Sequence, residues 1–417
     1  MNFFTLSTAS AYFYKSGVRK SYTSSFSPSL TIVSSILCAI FATGCTSVSK
    51  PLGSNDRSSS AVIQSSKDNN GLLRQEWSIS APQKEFVSPA ISGNTLLALE
   101  NQTTVRAINL TTGNTQWTKD FGSTLQGALS ANAEHLLATS TRGEVILADV
   151  ITGTPVWKHS INYSIQGVAQ FLPDSLACWT TEGNVILISK KDGTRQWVYT
   201  SPASLLLQTP RTGTFALGAI FTGTPKGKLV VLDVSSGHAY WQATVGNSGK
   251  AKEGDPLLDT SAIPPIINGA YACTAHAYRT ACFDRLKGTP VWSSEIGTLT
   301  GFESDGLNLY ATSPSGIIFS LSAKNGKIEW QNNEFKNQLL FKPELAENFL
   351  WVALKNQPSI IQIDTATGRV VNTFTIPAPA MWIKAIDDNS LLVQTQNGRL
   401  VRYNISLKND KKSGSTR

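Results

Sequence analysis

Residues 146–157 read ILADVITGTPVW, and this stretch decides the fold because the chain repeats it. Ile146 begins a short run rich in β-forming residues, and Asp149 can accept hydrogen bonds from the backbone two residues later, which opens a turn. Gly153 supplies the positive φ that such a turn needs. A second short run ends in Trp157, so the stretch predicts two antiparallel strands joined by a turn.

The same spacing recurs on both sides of this stretch. A Gly lies four residues before a Trp in six copies, which are Gly113/Trp117, Gly153/Trp157, Gly193/Trp197, Gly237/Trp241, Gly288/Trp292 and Gly326/Trp330. Four residues before each Gly stands a side chain that can cap a turn, namely Asn109, Asp149, Ser189, Asp233, Asp284 or Ser322. A seventh copy has Asp364 and Gly368 but carries Asn372 in the Trp position. Further turn glycines such as Gly143 lie ten residues upstream, so each unit is a small meander of strands.

The two ends of the repeat region complement each other. Gly398 resembles one more upstream turn glycine, but a polar tail follows it in place of a Trp strand. Trp77 lies in a Trp strand that has no unit before it. Six full copies, the Trp-less seventh and one unit split between the ends make eight. The sequence therefore predicts an all-β, eight-bladed β-propeller over residues 71–407, with the N-terminal strand completing the last sheet and closing the ring.

Composition agrees with one large domain and argues against a nucleic-acid groove. The chain has 417 residues, of which 41% are hydrophobic and 15% charged, so it can bury a sizeable core. The formal net charge is +8, but residues 1–44 contain three basic residues and no acid, and residues 408–417 contain four basic residues and one acid. The remainder carries about +2, which predicts a nearly neutral propeller.

The N-terminal 44 residues read as a targeting signal. Leu30 to Ala42 form an apolar run of thirteen residues, which is shorter than the ~20 residues that span a bilayer as a helix. Cys45 follows the small residues Thr43 and Gly44. This arrangement resembles a bacterial lipoprotein signal, which implies lipidation at Cys45 and, from Thr46, an outer-membrane destination. An ordinary secretory signal with an incidental cysteine is the alternative, and translation could start nearer Val18.

Two further segments show no repeat. Residues 45–70 are rich in Ser and lack periodicity, which predicts a flexible tether between the lipid and the ring. Residues 408–417 are predicted to be a disordered basic tail. Cys273 and Cys282 flank a predicted hairpin turn, so a disulfide is possible in an oxidising compartment, and buried free thiols are an equal possibility.

The sequence contains no recognisable catalytic motif. The four histidines, His135, His159, His238 and His276, lie far apart and are predicted to be loop or surface residues. The GTPKGK segment at 223–228 leads into a strand, so it fails as a phosphate loop. No catalytic, metal or cofactor site is predicted.

The repeat resembles the tryptophan motif of quinoprotein propellers, in which pyrroloquinoline quinone occupies the hub. The alcohol dehydrogenases of that class carry two adjacent cysteines, whereas no two cysteines adjoin here. We therefore predict that the tryptophans pack between neighbouring blades. A quinone-dependent dehydrogenase and a ligand-binding propeller of the cell envelope are kept as alternative functions.

Loop length indicates where a partner would bind. Successive Trp positions from Trp77 to Asn372 are separated by 40, 40, 40, 44, 51, 38 and 42 residues. The additional residues lie after Trp197, around 200–211, and after Trp241, around 246–262. Both segments connect the last strand of one blade to the first strand of the next, so we expect them on the same face of the ring, where repeat proteins often bind partners.

From Cys45 to Asn404 the chain resembles the BamB family, lipoprotein propellers of the outer-membrane β-barrel assembly machinery. The resemblance implies a non-enzymatic scaffold in the outer membrane that faces the periplasm. It also implies that the two long segments bind the POTRA region of BamA, and that unfolded barrel proteins are possible clients. The family's contact residues map onto Leu205, Leu207 and Asp259, which are retained, and onto Gln208 and Ser261, which replace an arginine and an acid. The polar half of the contact is therefore expected to be weaker here.

Overall fold

The described residues form eight separate antiparallel sheets. The computed structural model describes residues 62–64, 71–81, 87–165, 167, 169–201, 212–224, 227–246 and 266–407. Within these ranges seven sheets have four strands and one has five. The eight-bladed, all-β propeller predicted from the repeats is confirmed. The predicted signal, the lipidation site Cys45 and the basic tail lie outside the described residues.

Blades 1 to 7 are consecutive four-stranded meanders. Blade 8 draws on both ends of the chain, so the first two strands, β1 (Val62–Gln64) and β2 (Gly71–Ser80), belong to it. Blade 1 contains β3 (Ala90–Ser92), β4 (Thr95–Leu99), β5 (Thr104–Asn109) and β6 (Thr115–Asp120). Blade 2 contains β7 (Leu125–Ala131), β8 (His135–Ser140), β9 (Glu144–Asp149) and β10 (Pro155–Ser160). Blade 3 contains β11 (Gln170–Phe171), β12 (Ser175–Trp179), β13 (Val185–Ser189) and β14 (Arg195–Tyr199). Blade 4 contains β15 (Gly213–Ala216), β16 (Ala219–Thr224), β17 (Lys228–Asp233) and β18 (Ala239–Thr244).

The remaining blades follow the same order. Blade 5 contains β19 (Ile266–Asn268), β20 (Tyr271–His276), β21 (Arg279–Asp284) and β22 (Pro290–Ser294). Blade 6 contains β23 (Phe302–Ser304), β24 (Asn308–Thr312), β25 (Ile318–Ser322) and β26 (Ile328–Asn332). Blade 7 contains β27 (Glu344–Leu345), β28 (Phe349–Ala353), β29 (Ser359–Asp364) and β30 (Val370–Thr375). Blade 8 adds β31 (Ala380–Asp387), β32 (Ser390–Thr395) and β33 (Arg399–Leu407).

Blade 8 closes the ring in the predicted way. Strand β2 pairs antiparallel with β33, from Gly71 opposite Leu407 to Ser80 opposite Arg399. The structure differs from the prediction at residues 62–64, which were assigned to the tether and instead form β1 along the outer edge of β2. A three-residue strand is too short to show periodicity, and its formation depends on the free edge that β2 offers.

The core lies between the blades. First strands of neighbouring blades contact one another, so they form the hub, and the last strands form the rim. The two middle strands of each blade are covered on both faces by the adjacent blades, which explains their nearly continuous apolar runs. In β8 and β9, for example, Leu136, Leu137, Val145, Ile146 and Leu147 are all buried.

Each of the seven tryptophans at the Trp position of the repeat packs on the turn of the next blade, as predicted. The Trp117 indole Nε1 donates to the Val150 carbonyl at 3.1 Å, and a Cβ placed on Gly153 would lie 2.7 Å from the Trp117 ring. Gly153 also has a φ of 70°. The same contacts join Trp77 to Gly113, Trp157 to Gly193, Trp197 to Gly237, Trp241 to Gly288, Trp292 to Gly326 and Trp330 to Gly368.

The first residue of each receiving turn stabilises the turn through hydrogen bonds, as Asp149 does in blade 2. The Asp149 carboxylate accepts hydrogen bonds from the backbone of Ile151 at 3.0 Å and of Thr152 at 2.7 Å. The Gly153 N–H donates to the Asp149 carbonyl at 2.9 Å. The turn-capping role predicted for Asp149 is therefore confirmed.

Asn372 replaces the tryptophan where the receiving turn is missing. At the corresponding place in blade 8, β33 continues to Leu407 and pairs with the start of β2, so strand pairing stands in place of the turn. Asn372 is buried and donates to the Gln362 Oε1 atom at 2.7 Å. The Trp-less seventh copy is thus a consequence of splitting the eighth blade.

Among the residues that the structure describes, no helix has the length and apolar character needed to cross a membrane.

Candidate partner-binding face

The strand order divides the connections between two faces. Because each blade is an alternating meander, the turns joining second to third strands emerge on the same face as the connections between blades. We call this the long-loop face. The opposite face carries the turns between first and second strands and the turns that receive the tryptophans.

The two longest blade-to-blade connections lie on the long-loop face at adjacent junctions. One joins β14 to β15, between blades 3 and 4, and the other joins β18 to β19, between blades 4 and 5. The predicted partner-binding residues lie within them, outside the described residues, and are Leu205, Leu207, Gln208, Asp259 and Ser261. The structure describes how both ends of the first connection and the start of the second are held.

Buried polar contacts hold the first connection at its two ends. At its start, the Ser201 N–H donates to the Asn184 Oδ1 atom at 3.2 Å. At its end, Thr222 is buried beneath the chain and its hydroxyl donates to the Thr212 carbonyl at 3.3 Å. The Trp179 indole in turn donates to the Thr222 hydroxyl at 2.9 Å. Both ends of the connection are therefore tied to the interior of blades 3 and 4.

A buried histidine holds the start of the second connection. His276 is fully buried at the end of β20, and its Nε2 atom lies 2.8 Å from the Gly246 carbonyl oxygen. The Tyr278 N–H donates to the other ring nitrogen, Nδ1, at 3.2 Å. These two bonds assign the neutral tautomer in which Nε2 carries the proton and donates to Gly246. Burial lowers the pKa of His276, which agrees with that neutral form.

Charged groups border this histidine. The Arg279 guanidinium forms an ion pair with the Glu295 carboxylate at 3.0 Å and donates to the Ser293 hydroxyl at 2.5 Å. Arg279 also lies close to Gly246. The second connection thus leaves blade 4, at Gly246, beside a pair of opposite charges.

The prediction that His276 is a loop or surface residue is wrong. His276 occupies the place that a small hydroxyl residue holds in other blades, namely Ser140, Thr180, Thr224, Ser313 and Thr395. The hairpin turn of blade 5 is one residue shorter than that of blade 4, and this deletion hides the equivalence. Aligning the repeats on strand register would have found it.

Of the two possibilities for Cys273 and Cys282, a disulfide or free thiols, the structure has the disulfide. Cys273 in β20 and Cys282 in β21 are directly opposite each other in the register, and their sulfurs are bonded. Both residues are fully buried in the core between blades 5 and 6. The bond therefore fixes the hairpin that carries His276.

Charged side chains in the hub of blades 6 to 8 pair with one another across the blades. Lys342 forms ion pairs with Glu303 and, at 3.3 Å, with Glu344, which also pairs with Lys384 at 2.6 Å. Among the described residues no group of three or more His, Cys, Asp and Glu side chains is placed to hold a metal ion. The Glu303 and Glu344 carboxylates in this part of the hub are therefore occupied by ion pairs with lysines.

Solved structures share this architecture. The chain is similar to the crystal structure of BamB from Moraxella catarrhalis, with a TM-score of 0.67 and 19% sequence identity over 80% of this chain and 99% of that one. It is also similar to the quinohemoprotein alcohol dehydrogenase from Comamonas testosteroni, with a TM-score of 0.59 and 13% identity over 80% of this chain and 76% of that one. At these identities the likeness concerns the fold alone.

Sequence comparison is more specific. The chain is 26% identical over 201 residues to the outer membrane protein assembly factor BamB of Bordetella pertussis, covering 48% of this chain and 52% of that protein. It is 24% identical over 196 residues to the protein of the same name in Escherichia coli K12, covering 47% and 50%. The match thus spans about half the length of these relatives. A family model described as outer membrane protein assembly factor BamB matches residues 101–332, which is more than half of the chain, and the chain therefore belongs to the BamB family.

Proposed function

We propose that this chain is a non-enzymatic scaffold that supports the assembly of β-barrel proteins into the outer membrane. In this proposal the protein is lipid-anchored through Cys45, faces the periplasm, and binds the POTRA region of BamA. The relatives are named as assembly factors, which supports the general role. The partner and the anchor come from the family resemblance of the sequence.

One observation carries the choice of surface. The two longest connections emerge on the same face at adjacent blade junctions, and hydrogen bonds hold both ends of the first and the start of the second. A partner that spans blades 3 to 5 can therefore contact both at once. Apolar contact through Leu205 and Leu207 would supply most of the binding free energy, because buried apolar side chains dominate protein interfaces.

The polar residues would adjust this contact. Asp259 offers a carboxylate to a basic group on BamA, while Gln208 and Ser261 offer neutral hydrogen-bonding groups where the family has charges. Charged contacts at the rim of an interface mainly affect association rate and salt dependence. We therefore expect this chain's binding to BamA to depend less on ionic strength than that of family members with the charged residues.

The test is affinity capture of BamA from detergent-solubilised envelopes, quantified by immunoblot. Wild type should recover BamA, and the Leu205→Glu/Leu207→Glu double variant should recover at least about tenfold less, because two buried charges would replace apolar contacts. The matched control is Leu286→Glu/Leu307→Glu, which changes two leucines that are 74% and 76% exposed on turns of the opposite face. Equal recovery by wild type and the Leu205/Leu207 variant would refute the assignment of the face.

A further inference from the structure

A cavity of about 520 Å³ opens on the long-loop face between blades 5 and 6. Its walls come from the hairpin turns of both blades, from β26, and from the end of β22 with the residues that follow it. Ile296, Ile317 and Ile328 supply the large apolar side chains of the lining. The polar groups of the lining include three serine hydroxyls, one carboxylate and one carboxamide, from Ser294, Ser313, Ser315, Glu295 and Gln331. Concave sites with an apolar lining and a few polar groups are typical ligand sites.

One side chain of β22, the small residue Ser294, lies on the wall of the cavity. The position two residues after the Trp position faces the next blade in every copy, and we call it the slot position. Its residues in the eight blades are Ile79, Lys119, His159, Tyr199, Ala243, Ser294, Asn332 and Phe374. Ala243 packs in the core between blades 4 and 5, whereas Ser294 lines the cavity.

Two other blades place an aromatic ring at the slot position. Phe374 is fully buried in the core between blades 7 and 8 and stacks on Trp351 with ring centroids 6.1 Å apart. Tyr199 packs against the core shared by blades 3 and 4. The repeat can therefore hold an aromatic side chain at the slot position. At the junction of blades 5 and 6 this position is Ser294, which is not aromatic.

We propose that the cavity between blades 5 and 6 binds an aromatic side chain presented by an extended segment of another polypeptide. Tyr278 at the wall offers a ring for an edge or stacked contact, which aromatic pairs favour. The Ser294 hydroxyl and the Gln331 amide can bond to the backbone of the same segment. Strands β22 and β26 beside the cavity are the end strands of their described sheets, so an extended segment can approach along them.

The occupant that fits is a transmembrane β-strand of an unfolded outer-membrane barrel protein. Such strands alternate apolar and polar residues and carry aromatic residues at their ends. The identification of the peptide as a barrel-protein strand rests on the proposed function. The inference that an aromatic side chain enters the cavity rests on the slot position alone. The cavity adjoins the second long connection through the Arg279–Glu295 pair, so partner and client would bind side by side.

The test uses the full-length chain and a fluorescein-labelled ten-residue peptide of alternating polar and apolar residues with a central Phe. Fluorescence anisotropy should show saturable binding, and replacing the central Phe by Ala should weaken it at least about tenfold. The Ser294→Tyr variant should weaken binding of the Phe peptide to a similar degree, because its ring fills the cavity as Tyr199 does in blade 3. Lys119→Tyr, at the slot position of blade 1, should bind like wild type.

Further variants separate this proposal from the proposed function. Ile328→Ser, which keeps the cavity open but removes apolar lining at a 48% exposed residue, should weaken binding several-fold. The Leu205→Glu/Leu207→Glu variant should bind the peptide like wild type even though it fails to capture BamA. Undiminished peptide binding by Ser294→Tyr would overturn the cavity site, as would loss of peptide binding in the Leu205/Leu207 variant. Unfolding temperatures measured in parallel report whether each variant is folded.

Discussion

At the residue scale, the Trp–Gly contact imposes two separate requirements on one glycine. Gly153 has a φ of 70°, which side chains with a Cβ rarely adopt, and it also lies against the Trp117 ring. Gly93 has a φ of 54°, but a Cβ there would meet no atom within 4 Å. The two glycines therefore separate the backbone requirement from the packing requirement.

Gly153→Ala should destabilise the protein more than Gly93→Ala does. Both variants incur the left-handed backbone cost of ~1–3 kcal/mol, and Gly153→Ala adds ~1–3 kcal/mol from overpacking against Trp117. Urea unfolding followed by tryptophan fluorescence measures the difference. Equal urea midpoints for the two variants would show that packing against the Trp117 ring adds no destabilisation to Gly153→Ala.

The lowered pKa of Glu144 predicts how the free energy of unfolding depends on pH. Burial disfavours its charge, but hydrogen bonds from Ser123, Ser140 and Lys158 and the Lys158 charge outweigh that effect, so the pKa of Glu144 is lowered to about 2. The Lys158 ammonium lies 3.0 Å from the Glu144 carboxylate. Because the folded pKa lies below the unfolded value of 4.5, the stabilisation is present above pH 4.5 and is lost as pH falls toward 2.

Glu144→Gln should therefore lower stability at pH 7 by ~1 kcal/mol, after allowance for solvent screening of the ion pair, and by much less at pH 3. Urea midpoints at pH 7, 4.5 and 3 test this expectation. Glu347→Gln, at an exposed turn residue, is the control and should leave the pH profile unchanged. A constant difference between Glu144→Gln and wild type across this range would contradict the assignment.

At the element scale, the sequence predicted the strands that packing makes regular. The middle strands and the Trp strands were predicted because buried runs, turn caps and glycines recur at fixed spacing. The first strands were harder, since β11 and β27 have only two residues each and depend on their neighbours in the hub. Strand β1 is similarly short, with three residues, and depends on the outer edge of β2. The residues predicted to bind the partner, such as Leu205 and Asp259, lie outside the described residues, and their role stays a prediction.

The disulfide in blade 5 should stabilise that blade. It joins residues nine apart, and closing a loop of this length contributes ~2–3 kcal/mol in the chain-entropy model. Dithiothreitol should therefore lower the urea midpoint of wild type, with slow onset because Cys273 and Cys282 are fully buried. The other cysteine among the described residues, Cys178, is buried, and burial raises the pKa of its thiol to about 12, which keeps it unreactive.

The control for this effect is the Cys273→Ala/Cys282→Ala double variant, which should be less stable than oxidised wild type and insensitive to dithiothreitol. If dithiothreitol shifted both proteins equally, the effect would have another origin. If it shifted neither, the disulfide would contribute nothing to the stability of blade 5.

At the scale of the whole molecule, the ring combines eight junctions of which one is different. Seven described junctions pair an indole with a turn glycine, whereas Asn372, at the junction of blades 7 and 8, bonds within blade 7 to Gln362 on the neighbouring strand. In the same junction the Gln362 amide donates to the Asp388 carbonyl at 2.8 Å. On its other side blade 8 supplies the Trp77 indole, which packs on Gly113 of blade 1. Blade 8 therefore makes the usual tryptophan–glycine contact with blade 1, but a different, hydrogen-bonded contact with blade 7.

This difference predicts that a tryptophan at position 372 does not stabilise the natural chain. Asn372→Trp would remove the Gln362 hydrogen bond and place a large ring against the paired strands β2 and β33. We expect destabilisation of ~1–3 kcal/mol from overpacking. The measurement is the urea midpoint relative to wild type, with Asn372→Ala as the control for loss of the hydrogen bond alone.

The same substitution should become favourable once blade 8 has a receiving turn. In a circular permutant, Asn404 would be joined to Gln75 by the blade 2 turn sequence of residues 150–154, and new ends would be placed in the exposed turn at Lys191. Asn372→Trp should then raise the urea midpoint, because the indole gains a glycine to pack on and a carbonyl to bond. In that permutant Trp157 loses the turn around Gly193 that receives it, so Trp157→Asn should cost less than it does in the natural chain. Destabilisation of both backgrounds by Asn372→Trp would show that something other than the missing turn excludes tryptophan from the seventh copy.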